Sequence, residues 1–238
     1  MNFFRRDELT PRVADTLARY DETVRRFVGA DYPYPIRMRD WELARVLESV
    51  RSVPMGSSVL DTGSFNTYLP LALAAAGYRL TASDLVWRRL MKSAERKLGL
   101  APRRPTEAPF FTWMRIYRLA GIPVRNLNLA KLACRSASFD CVVALSVIEH
   151  VPSVERCLSE MYRVLAPGGR MLVTTDCSPD PRPYAQGVRY FSESELEGLF
   201  APYPVSSARN HPDFSPENWC YGLGRPVVTA FVEVTKPR

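Results

Sequence analysis

An α/β fold with a doubly wound, mostly parallel sheet is predicted by three features of this 238-residue chain. From Ser57 onward, short strand-like runs alternate with helix-period segments, the pattern of a parallel sheet covered by helices on both faces. Two early strands, SSVLD and YRLTAS, lead into the acidic residues Asp61 and Asp84, at the carboxyl ends where such sheets bind ligands. The final run, VVTAFVEVTK, alternates in the manner of an antiparallel edge strand, which brings the expected count to seven strands.

Thr10 and Pro11 fit an N-cap followed by proline at the first helical position, and Gly29 closes the helix VADTLARYDETVRRFVG. ADYPYPIR, with two prolines and two tyrosines, reads as an irregular connector, and a second helix runs from about Asp40 to Val50. Residues 1–50 are therefore expected to form an N-terminal helical cap on a main domain at 51–238. In that domain follow SSVLD, a helix ending before Gly77, YRLTAS, a basic helix from Leu85 to Leu98 closed by Gly99, and PVRNLNL. FDCVVALS, the helix SVERCLSEMYRVL, the turn APGG and RMLVTTD come next, and CSPDPRPYAQGVRYF is a loop with three prolines. Ser192 and Glu195 make a capping box opening ESELEGLF, and the last strand is expected to pair with YPVSSA.

Hydrophobic residues make up 46% and charged residues 24%, ordinary for a globular chain. MNFFRRDELT lacks the apolar core of a secretory signal, and LPLALAAA is far short of a bilayer span, so a soluble cytoplasmic protein is expected. The five cysteines (Cys134, Cys141, Cys157, Cys177, Cys220) form no C-x-x-C pair and sit at no zinc spacing; they read as reduced thiols, with no metal site. The net charge of +7 is regional: Val86–Arg135 holds 12 Lys or Arg against 2 acids, leaving 20 basic and 23 acidic residues elsewhere. Such a patch suits an anionic partner or is a solvated helix face.

In VLDTGSFNTYLPLALAAAGYRLTASD, Gly63 meets the need for a glycine where backbone passes close to a nucleotide. A dinucleotide fingerprint would need glycines at 63, 65 and 68, where this chain has Phe65 and Tyr68, so NAD is disfavoured. Asp84 can accept from both hydroxyls of a ribose, or serve as a helix N-cap, and the two roles are compatible.

Ser138–Asp176 reads SFDCVVALSVIEHVPSVERCLSEMYRVLAPGGRMLVTTD. The ordered pieces SFDCVVAL, IEHV, RVLAPGG and RMLVTT resemble the fourth-to-fifth-strand half of class I, Rossmann-like S-adenosylmethionine-dependent methyltransferases, especially the small-molecule type 11 group. VLDTGSFNT and TASDL fall where that family's first two motifs belong, and the resemblance covers roughly residues 40–200. It implies S-adenosyl-L-methionine as cofactor and S-adenosyl-L-homocysteine as product. Asp61 and Gly63 would then shape the loop beside the methionine part, with Ser64 offering a hydroxyl contact. Asp84 would hold the ribose, Asn128 would take the place of an aspartate near the adenine, and Leu145 and Ser146 would line the methionine end. The family's D-x-G-x-G-x-G becomes Asp61-Thr62-Gly63-Ser64-Phe65-Asn66-Thr67, two glycines short. Phe65 is the main departure: pointing away it leaves a working site, pointing in it narrows one.

Methyl transfer needs the nucleophile held close and in line, and a hydroxyl acceptor needs its proton removed. The chain has two histidines, so candidates are few. His150, after Glu149 at the end of the fourth core strand, is the first candidate base, though the pair also fits a structural turn. His211, with Asp213, lies in a late loop that can close over an acceptor. Ser146 stands where related RNA methyltransferases carry a metal-binding glutamate, which argues against a metal.

By analogy with the family's spacing, Asp84 to Asn128 holds an insertion of about 20 residues, at about 100–122. In it Phe110, Trp113, Met114 and Tyr117 share a helix face, with Arg115 and Arg118 displaced. That helix is a substrate lid, a dimer contact, a membrane-surface anchor or a helix packed on the core. No added nucleic-acid-binding module is recognisable, so a small anionic or glycosylated metabolite is the favoured acceptor, methylated at oxygen or nitrogen, with a homodimer possible. Arg37, Arg39 and Trp41 are candidates to close over cofactor or acceptor. The alternative function is a non-methylating protein on the same fold, a scaffold or an enzyme using the cofactor as a charged fixture, and a nucleic-acid methyltransferase is less favoured.

Overall fold

The computed structural model describes residues 1–29, 40–65, 67–86, 91, 110–185, 187–219 and 225–238. Arg37, Arg39, Asn66, Cys220 and most of the expected basic helix and insertion lie outside the described residues. In chain order the elements are β1 (Asn2–Phe3), α1 (Pro11–Val28), α2 (Asp40–Val50), β2 (Ser58–Thr62), α3 (Leu69–Ala75) and β3 (Arg79–Asp84). Then follow α4 (Phe110–Leu119), β4 (Val124–Asn126), β5 (Phe139–Leu145), α5 (Val154–Val164) and β6 (Leu165–Cys177). The chain ends with β7 (Arg182–Ala185), β8 (Val188–Tyr190), α6 (Glu193–Phe200) and β9 (Val228–Thr235).

Seven strands form one sheet in the order β1-β9-β6-β5-β2-β3-β4. β4, β3, β2, β5 and β6 are parallel neighbours, and β9 runs against both β6 and β1. The expected α/β class with an antiparallel C-terminal strand is thus present. Alternation along β2 divides the core: Val59 packs with the side chains of α1, α2, α3 and α4, while Leu60 packs with α5 and α6. Asp61 therefore faces the α2 and α4 side.

Helix ends follow local chemistry. Thr10 Oγ1 accepts from Val13 N–H at 3.5 Å with Pro11 behind it, and Gly29, at φ 86°, donates its N–H to Arg25 O at 2.8 Å. The capping box of α6 is complete, Ser192 and Glu195 each bonding the other's backbone N–H.

YPVSSA meets β9 antiparallel as expected, through the bridge Val205–Val234 and the bonds from Ser206 N–H to Glu233 O (2.7 Å) and from Thr235 N–H to Pro204 O (3.1 Å). Two other expectations are corrected and one strand is new: the outer side of β9 is shared with β1, where Phe3 is buried and bonded through its backbone to the Asn210 side chain at 2.6 and 2.9 Å. The aromatic start of the chain satisfies an edge that would otherwise expose unpaired backbone. The proline-rich loop after Cys177 contains the hairpin β7–β8. APGG is the irregular start of β6, where the register with β5 shifts between Phe139 and Cys141.

Candidate active site

The carboxyl ends of β3, β2, β5 and β6 lie side by side, with Thr62 opposite both Ser83 and Ala144, and Leu145 opposite Thr174. The loop after β2 is the first element of the site. Gly63 has φ 68°, and a Cβ there would lie 2.6 Å from Val147 Cγ2. The glycine is thus required by its own backbone and by the side chain that follows β5, a reason the sequence reading did not contain.

Ser64 is fully buried and its hydroxyl is turned inward. Oγ donates to Asp61 O (3.2 Å) or Ser83 O (3.0 Å) and accepts from Ser83 N–H at 2.8 Å, so it rivets the loop to β3. The hydroxyl offered to a ligand in the sequence is thus engaged by backbone in this structure. The Ser64 carbonyl faces α4: Trp113 Nε1 donates to it at 3.1 Å and Tyr117 Oη at 3.4 Å. Phe65 packs edge-on against Trp113, centroids 5.3 Å apart, and Trp113 lies 5.0 Å from the Tyr117 ring. Trp113 and Tyr117 are fully buried while Arg115 and Arg118 are exposed. Of the uses open to this amphipathic helix, its aromatic face is spent on the loop and core, which removes the dimer and membrane-anchor readings of that face.

Two buried carboxylates flank the loop. Asp84 accepts from Phe65 N–H (Oδ2, 3.3 Å) and Leu85 N–H (Oδ1, 2.7 Å). Asp61 is wholly buried, and neither of its carboxyl oxygens has a hydrogen-bond partner among the described residues. Burial pushes its pKa well above the ordinary carboxylate range, the Asp84 charge adds to the rise, and the nearby Ser64 hydroxyl opposes it. Tyr117 is raised well above its ordinary value, first by burial and then by the nearby Asp61.

At the end of β5, Leu145 is buried and Ser146 takes the left-handed conformation, φ 49°. Ser146 Oγ donates to Glu42 Oε2 at 2.7 Å, Thr174 Oγ1 donates to the same oxygen at 2.6 Å, and Ser146 N–H donates to Thr174 Oγ1 at 2.9 Å. Glu42 was missed in the sequence reading. Its signal was its place one turn before Val46 and two before Val50, on a face that α2 buries. Trp41 is buried beside Phe4 (centroids 5.5 Å apart), its indole N–H donating to Glu8 at 2.5 Å.

Glu149 is buried and accepts from Thr175 Oγ1 at 3.1 Å, whereas the exposed His150 has Nδ1 2.8 Å from Gly187 O at the tip of the β7–β8 hairpin. His211 pairs instead with Glu193 at the start of α6 (2.7 Å), and Asp213 is engaged by Ser215, whose hydrogen bonds lower its pKa. Asn128 is exposed past β4, its Oδ1 accepting from Ala130 N–H at 3.0 Å in a local turn. Among the described residues, no three His, Cys, Asp or Glu side chains converge as metal ligands, and no helix is long and apolar enough to cross a membrane.

A buried carboxylate without donors, beside a second one and at the ends of parallel strands, fits a ligand carrying positive charge. S-adenosylmethionine, with its sulfonium and ammonium centres and its ribose diol, has that chemistry. Residues 60–173 match the family model described as a methyltransferase domain. The chain has the class I methyltransferase fold, and just under half of it matches that domain. An S-adenosyl-L-methionine-dependent Diels-Alderase of Talaromyces variabilis is 26% identical over 190 residues, covering 78% of this chain and 59% of that protein. A ubiquinone biosynthesis O-methyltransferase of Xylella fastidiosa is 34% identical over 120 residues, 50% of this chain and 42% of that one. The chain thus aligns with about half the length of these curated relatives. The methyltransferase fold is also that of a Burkholderia thailandensis 1,6-didemethyltoxoflavin-N1-methyltransferase crystallised with S-adenosylhomocysteine, at TM-score 0.60, 17% identity and coverage of 96% of this chain and 91% of that one.

Proposed function

We propose that the protein is an S-adenosylmethionine-dependent methyltransferase acting on oxygen or nitrogen of a small, anionic or glycosylated metabolite. The observation that carries this reading is the pair Asp61 and Asp84, buried carboxylates at the ends of adjacent parallel strands within the matched domain. When bound, the cofactor supplies an electrophilic methyl group on a sulfonium. Asp61 would hold its positive methionine end and Asp84 its ribose hydroxyls, with Leu145 and Ser146 on the methionine side and Asn128 toward the adenine.

The chain's own part in transfer is positioning and proton removal. The carbonyl of Gly187 can only accept, so a neutral His150 ring hydrogen-bonded to it carries its proton on Nδ1 and keeps its basic lone pair on Nε2. His150 at the rim is therefore the proposed base for a hydroxyl acceptor. Glu149, turned inward to Thr175, orients the turn that carries it. His211, tied to Glu193, is a poorer candidate.

The test is incubation with methyl-labelled S-adenosylmethionine and a panel of small hydroxylated and amine-bearing acids, reading S-adenosylhomocysteine and labelled product. Acceptor-dependent S-adenosylhomocysteine supports transfer. A second reading is favoured by the Diels-Alderase relative: an enzyme that keeps the bound cofactor as a charged fixture. Cofactor that binds but never loses its methyl with any acceptor would select that reading.

A further inference from the structure

The geometry points to α4 as a gate that competes with the cofactor for its own loop: Trp113 and Tyr117 occupy the Ser64 carbonyl and cover Asp61, and the methionine end of the cofactor enters by displacing them. The inference rests on the cofactor reading above and adds a step to it.

The Ser64 carbonyl has two lone pairs, and two side-chain donors already address it, Trp113 Nε1 at 3.1 Å and Tyr117 Oη at 3.4 Å. Thr67 adds its N–H at 3.5 Å and its hydroxyl at 3.4 Å. A further donor of ligand origin has no lone pair left while α4 is seated. The seat is dry, since Trp113 and Tyr117 are fully buried and Phe65 closes one side edge-on at 5.3 Å. Tyr20 seals another side by donating its hydroxyl to Thr67 O.

Beneath this seat the Asp61 carboxyl has no partner among the described residues. The closed arrangement therefore contains its own incentive to open, because a buried carboxyl without donors is costly and a cation brought to it recovers that cost. Closed and cofactor-bound forms are alternatives, and the apparent affinity is reduced by the fraction of molecules that are open. Phe65 thus faces the gate. One of the two residues standing where the usual loop has glycine, Phe65, packs on an aromatic side chain of α4.

Trp113→Phe and Tyr117→Phe, singly and together, keep the rings and remove the donors, so folding is preserved while the closed state is weakened. Dissociation constants and association rates for S-adenosylhomocysteine are measured on the full chain by calorimetry and stopped-flow tryptophan fluorescence. The expected result is binding roughly tenfold tighter in the double variant, through faster association. In the unsubstituted protein, saturation should shift the emission of Trp113 toward that of a solvated indole, a change lost in Trp113→Phe. Equal constants in all forms would overturn the gate and leave the cofactor site standing. Weaker binding in the variants would make these side chains cofactor contacts and overturn it too. Failure of every form to bind would remove the cofactor reading and the gate with it.

Discussion

Glu42 and Ser146, 104 residues apart in sequence, share a 2.7 Å hydrogen bond in the interior, and Thr174 donates to the same Glu42 oxygen at 2.6 Å. This cluster fastens α2 to the ends of β5 and β6 and holds Ser146 at positive φ. Glu42→Ala removes the acceptor of two buried hydroxyls and leaves a void, for a loss of about 2–4 kcal/mol in unfolding free energy. Glu42→Gln keeps one acceptor oxygen and should cost about 1 kcal/mol. Denaturant melts of the two variants check the ordering.

Asp61 links stability to pH with a definite sign. Its carboxyl is raised in the folded protein, so folding takes up a proton, and the associated stability is fully present below the unfolded value near 4 and is lost as pH rises through the folded value. Asp61→Asn, neutral at every pH, should therefore unfold at higher temperature than the parent at pH 7–8 and converge with it toward pH 4. The same variant should bind S-adenosylhomocysteine more weakly, by at least about tenfold, because a charge partner is gone. Thermal unfolding across pH, paired with a binding titration, reads both effects.

Gly63→Ala combines left-handed backbone with a contact of 2.6 Å to Val147 Cγ2. A loss of about 2–3 kcal/mol is expected. Adding Val147→Ala should recover the steric share and leave the backbone share, so the two substitutions are non-additive in a double-mutant cycle.

Much of the fold was legible because its signals were local. The Thr10–Pro11 cap, the Ser192–Glu195 box and the strand–helix alternation from Ser57 each act within a few residues, and the structure carries them as read. β1 was not legible: a two-residue strand has no period, and it is held by Asn210 from the far end of the chain. Within the site, Asp61, Gly63 and Asp84 stood out by their place at strand ends. Glu42 did not, and Trp113 was legible only as part of an aromatic helix face, because their contacts with Ser146 and Ser64 are created by tertiary packing alone. Nor could the sequence show that the Ser64 hydroxyl bonds the Ser83 backbone, a partner 19 residues away.

Asp84→Ala should remove the proposed ribose contact and also free the Phe65 and Leu85 N–H groups it now accepts. Binding of S-adenosylhomocysteine should fall by at least about tenfold, from the loss of charge-assisted hydrogen bonds. Unchanged affinity in a folded Asp84→Ala protein would refute the ribose role.

If the loop from Asp61 to Thr67, despite its missing glycines, is a cofactor site, calorimetric titration of the purified chain with S-adenosylmethionine and S-adenosylhomocysteine, with NAD as control, will show it. Saturable one-to-one binding of both sulfur compounds and none of NAD is expected. Absence of heat and of displacement with either sulfur compound at millimolar concentration, in the unsubstituted protein and in the Trp113→Phe/Tyr117→Phe variant alike, would contradict it.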